Sequence, residues 1–114
     1  RSEVARVLYP PLHDDPGHAL WKRDFTGACG LFGVVLQPKS DEALAAFIDG
    51  LELFGIGYSW GGYESLIVPH DPRSIRTAVP WTEKGQLIRI HAGLEDPDDL
   101  IADLSAGLAR YAAA

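Results

Sequence analysis

The chain has 114 residues, 46% of them hydrophobic, and a formal net charge of −6. That length suits one domain with a real core, and the apolar content excludes a disordered chain. The acidic balance argues against nucleic acid, which needs a basic stripe, and against anionic membrane surfaces. No apolar stretch reaches the length of a membrane span, and no signal-peptide pattern opens the chain. The single cysteine, Cys29, excludes an internal disulfide framework and fits a reducing, cytoplasmic compartment. It stands in the apolar run Ala28-Cys29-Gly30-Leu31-Phe32, which predicts a buried structural thiol.

The chain opens at Arg1, and residues 1–6 read as the tail of a helix already under way, followed by an extended segment 7–9. The expectation is a piece cut from a longer protein. Pro10 and Pro11 stop any helix. His13-Asp14-Asp15-Pro16-Gly17-His18 is loop composition, and its Pro and Gly scatter the side chains too much for a metal site. Residues 18–24 form a short helix carrying Trp21. Cys29 to Gln37 is almost unbroken apolar sequence, the mark of a buried strand ended by Pro38. Ser40 then caps a helix over 41–53, with Asp41 and Glu42 opposing its dipole. Leu44, Phe47, Ile48 and Leu51 fall on one face of it.

Gly55 and Gly57 lead into Tyr58-Ser59-Trp60-Gly61-Gly62-Tyr63-Glu64-Ser65-Leu66-Ile67. Paired glycines permit positive φ and close backbone approach, so this polar cluster sits at the lip of a strand over 65–68. Residues 69–85 make a long surface loop. The next strand, 87–92, alternates: Ile88, Ile90 and Ala92 face one way, Leu87, Arg89 and His91 the other. Asp96 caps the last helix with Pro97 at its first position. Leu100, Ile101, Leu104, Leu108 and Tyr111 form its apolar face. The order of elements predicts an α+β fold, a small mostly antiparallel sheet with helices packed on one face.

Arg89 is the most informative charge. It lies among apolar neighbours in a strand, where an unpaired charge is expensive. Its fork suits a carboxylate, either an internal Asp or Glu or one carried by a ligand. His91 on the same face reads as a hydrogen-bonded structural histidine. Ser59 has no nucleophile-elbow context, so its hydroxyl orients or donates. Trp60 either packs as core or walls a pocket. Lys22, Lys39 and Lys84 all lie in polar or loop contexts, without the desolvation a Schiff-base nucleophile needs.

The cluster from Tyr58 to Ile67, followed by Ile88-Arg89-Ile90-His91-Ala92-Gly93-Leu94-Glu95-Asp96 and residues 98–104, resembles the C-terminal domain of the Cys/Met-metabolism family of pyridoxal-phosphate enzymes. The segment 12–36, with His18, Trp21, Thr26 and Gly27, fits the family's approach to that domain. The resemblance covers nearly the whole chain. It implies that residues 1–114 are the small domain of a larger enzyme whose Schiff-base lysine and phosphate-binding groups lie in a preceding large domain. It implies that Arg89 grips the substrate α-carboxylate. Ser59, a catalytic-site residue, would sit beside that carboxylate and the cofactor-bearing lysine, and Tyr58 and Trp60 would line the pocket. Trp60, where γ-synthases and γ-lyases usually show Leu, tilts the likeness toward the family's bacterial β-lyases. Those split cystathionine by α,β-elimination into homocysteine, pyruvate and ammonia. The resemblance further implies a homotetramer built largely through the large domain, pyridoxal 5'-phosphate only in the full-length enzyme, and no lyase activity in this piece alone. The competing reading is a non-catalytic interaction domain in which Arg89 pairs internally.

Overall fold

The computed structural model describes residues 1–114. Its elements follow as β1 (Val4–Leu8), α1 (His18–Asp24), β2 (Leu31–Leu36), α2 (Asp41–Ile48), β3 (Gly55–Ile56), β4 (Leu66–His70), β5 (Leu87–His91) and α3 (Pro97–Ala113). A 3-10 turn at Pro72–Ser74 interrupts the long loop before β5. The strands form one sheet in the order β1-β2-β5-β4-β3. All neighbours are antiparallel except β3 and β4, which run parallel. This is the α+β arrangement that the sequence predicts.

The central strand β5 shows the predicted alternation. Ile88 and Ile90 are buried toward the helices, together with Val34, Leu36, Ile67, Phe47, Leu100 and Tyr111. Full burial of side chains of this size contributes roughly 1.5–3 kcal/mol each. α2 starts where expected, with the Ser40 hydroxyl accepting from the Ala43 amide. It ends at Ile48 and not at residue 53, because Asp49 and Gly50 close it. Leu51 still packs on the core from outside the helix. α3 begins with the Asp96 carboxylate accepting from the Asp98 amide and Pro97 in the first turn. Leu100 and Tyr111 are buried on its inner face, whereas Ile101, expected there, is exposed.

Two further expectations are corrected. The N-terminal residues are no helix tail: Val4–Leu8 is an edge strand, its register irregular between Val4 and Arg6, laid against β2. Cys29 is exposed and not buried. The sheet begins only at Leu31, so the apolar run around Cys29 starts outside it. No helix is long and apolar enough to cross a membrane.

Candidate functional site

The side of β5 turned away from the helices carries Arg89 and His91. The chain between β3 and β4, residues 57–65, lies against it. β4 stands between β3 and β5 in the sheet. A parallel pair such as β3 and β4 needs a crossover, and here the connection is too short for a helix. It leaves the sheet at β3, reaches past β4 to β5, and returns to Leu66 as a strap.

Main-chain groups fasten this strap. Arg89 Nη2 donates to the carbonyl of Tyr58 and, at 3.5 Å, to that of Ser59. The amide of Gly61 donates to His91 Nδ1 at 3.4 Å, and His91 Nε2 meets the Gly62 carbonyl at 2.9 Å. His91 is hydrogen-bonded, in line with its reading as a structural histidine, and it is also buried. The Leu94 amide holds the Tyr63 carbonyl at 2.9 Å. Gly61 is the residue with positive φ, 82°, which its lack of a Cβ permits. Gly93 is needed for a different reason: a Cβ there would lie 2.2 Å from the Tyr63 carbonyl oxygen.

Beneath the strap is a polar latch that the sequence did not reveal. Ser65 is 1% exposed. Its hydroxyl donates to Glu95 Oε2 at 2.7 Å and accepts from the Gly93 amide at 2.8 Å. The Ser65 amide donates to Glu95 Oε1 at 3.1 Å. These bonds, led by the Ser65 hydroxyl, hold the Glu95 carboxyl below its usual range. Glu95 reads in sequence as one more acid before a helix, so only the fold connects it to Ser65.

Arg89 has no acidic partner in the chain. The four ion pairs join Arg1 to Glu3, Arg6 to Glu83, Arg23 to Asp24 and Arg73 to Asp71. A guanidinium has five N–H donors. Only Nη2 is engaged within the protein, which leaves Nε and Nη1 free for a ligand. Ser59, Tyr58 and Trp60 are brought to the strap beside Arg89, and all three side chains are exposed. Trp60 at 61% exposure is therefore no core residue. The lysines are elsewhere: Lys39 donates to the carbonyls of Ala112 and Ala114, Lys22 is on α1, and Lys84 is in the loop before β5. The His13 and His18 rings meet at a tilt, their centroids 4.5 Å apart, and no group of three or more His, Cys, Asp or Glu is placed to hold a metal ion.

A half-buried arginine fork on a central strand of an α+β fold, free of internal acids and facing a glycine-rich strap, is the candidate site for an anionic group. The chain belongs to the Cys/Met metabolism PLP-dependent enzyme family, whose model matches residues 1–109. It is 54% identical to the Escherichia coli (strain K12) protein named cystathionine beta-lyase MetC, over 95% of this chain and 28% of that protein. It is 50% identical to a Wolbachia pipientis wMel protein named L-alanine/L-glutamate racemase, over 96% of this chain and 28% of that one. The crystal structure of cystathionine gamma synthase from Xanthomonas oryzae pv. oryzae in complex with cystathionine superimposes with a TM-score of 0.82 at 35% identity. That match covers 99% of this chain and 30% of the other. The chain thus spans under a third of the length of the relatives it matches.

Proposed function

We propose that this chain is the C-terminal, substrate-carboxylate-binding domain of a cystathionine β-lyase, acting in methionine biosynthesis. The observation that carries the reading is the Arg89 fork, held by the Tyr58 and Ser59 carbonyls with no acid of its own. Nε and Nη1 keep N–H donors that the strap does not use, and a charged guanidinium donor suits an amino-acid carboxylate. Gripping that carboxylate fixes the Cα–H bond of the substrate, which is catalysis by positioning. Ser59, one residue from the strap's anchored carbonyl, presents its hydroxyl to the same substrate. Tyr58 and Trp60 supply the exposed aromatic surface that closes around its carbon chain. Pyridoxal phosphate, when bound, supplies an electron sink.

The lysines of this chain do not fit the cofactor's attachment, since none stands at the strap. We place that lysine, the phosphate-binding groups and the tetramer contacts in another part of the full-length protein. The isolated chain is then inactive. Measurable pyruvate or homocysteine from cystathionine with the chain alone would overturn this. The β-lyase name at 54% identity supports cystathionine as substrate, and Trp60 agrees with it. The same carboxylate seat serves any α-amino acid, so a panel of cystathionine, alanine and glutamate on the full-length enzyme separates the lyase from the racemase alternative. A co-crystal with an L-amino acid tests the seat itself. Its carboxylate is expected on the Arg89 guanidinium, and a carboxylate bound elsewhere refutes the assignment.

A further inference from the structure

His91 is buried under the strap, and both of its ring nitrogens are engaged with adjacent main-chain groups. One tautomer satisfies both. A lone pair on Nδ1 must meet the Gly61 N–H, and a proton on Nε2 must meet the Gly62 carbonyl. The clamp sits on the positive-φ glycine, the least ordinary turn of the backbone. Arg89 stands two residues earlier on the same face of β5 and holds the carbonyls of Tyr58 and Ser59. The strap is therefore gripped on both sides of Trp60. Without His91, the next fixed points after Ser59 are the Leu94–Tyr63 bond and the Ser65–Glu95 latch. The stretch between could then shift, and the carbonyls that aim Arg89 would shift with it.

We propose that His91 is a positioning residue for the carboxylate seat. It clamps Gly61 and Gly62, which fixes the carbonyls of Tyr58 and Ser59 and through them the direction of the Arg89 fork. This rests on Arg89 being the carboxylate-binding residue. The test uses the full-length enzyme and two ligands, an α-amino-acid inhibitor and the amine that lacks its carboxylate. The ratio of the two affinities is measured for wild type, His91→Leu, His91→Gln and Arg89→Ala. His91→Leu removes both ring bonds, whereas His91→Gln keeps a donor for Gly62.

His91→Leu is expected to lower the acid-over-amine preference about tenfold, the scale of one badly placed charged hydrogen bond. His91→Gln is expected to restore part of it. A histidine that only stabilised the fold would change the amount of active enzyme and leave the ratio alone. Wild-type preference in His91→Leu, with preference lost in Arg89→Ala, overturns the inference and leaves the Arg89 assignment standing. Preference retained in Arg89→Ala removes the assignment and the inference together. If His91→Leu does not fold, the ratio in His91→Gln decides: lowered supports the proposal, unchanged overturns it.

Discussion

Replacing Arg89 with alanine in the full-length enzyme probes the site at its centre. Nε and Nη1 are free of internal partners, so a bound carboxylate takes at least one charge-assisted bond from the guanidinium. Each such bond contributes roughly 1.5–3 kcal/mol net. Truncation also leaves the ligand's charge without its partner, so the expected loss is about 3 kcal/mol or more, at least a hundredfold in affinity. Arg89→Lys keeps the charge but not the fork, and is expected to recover roughly half of that loss. The assay is an equilibrium titration with a substrate-like amino acid, with far-UV circular dichroism and melting temperature as controls for folding. Those controls matter because Arg89 also holds the strap through the Tyr58 carbonyl. A well-folded Arg89→Ala enzyme with unchanged affinity would refute the reasoning.

Three further outcomes concern the latch beneath the strap. Ser65→Ala removes a bond to a carboxylate and strands the Gly93 N–H, so the loss in stability is expected near 3 kcal/mol. A urea midpoint that does not move would contradict it. Glu95 is held below its ordinary value chiefly by the Ser65 hydroxyl. Its contribution is therefore full above the unfolded-chain value, about pH 4.3, and disappears as pH falls through the lower folded value. Glu95→Gln should flatten that acid limb of the stability profile, and a slope identical to wild type would count against the latch. Gly93→Ala drives a methyl against the Tyr63 carbonyl. It is expected to cost about 1–3 kcal/mol and to weaken amino-acid binding, so wild-type values for both quantities would exclude the close approach.

The strands and helices whose own residues dictate them were legible in the sequence. β5 alternates strictly, β2 is an apolar run, and α3 carries Asp96 and Pro97 at its start. Elements that owe their shape to neighbours were not. β1 is an edge strand with two exposed residues in its middle, so its periodicity is weak and only pairing with β2 fixes it. β3 is two residues long and exists through its bonds to β4. Cys29 misleads because its neighbours are apolar while the sheet starts two residues later. The candidate site divides in the same way. Arg89 and Ser59 stand out by residue type and context. The Ser65–Glu95 latch joins residues thirty apart in the chain, and neither is unusual where it stands.

Arg89 and His91 hold the strap by its peptide groups and not by the side chains of residues 58–62. The attachment is consequently indifferent to which side chains the strap displays. Tyr58, Ser59 and Trp60 can therefore be exchanged as a cassette while the main-chain mounting stays put, and if they line the substrate pocket as proposed, such exchanges change substrate preference without rebuilding the scaffold.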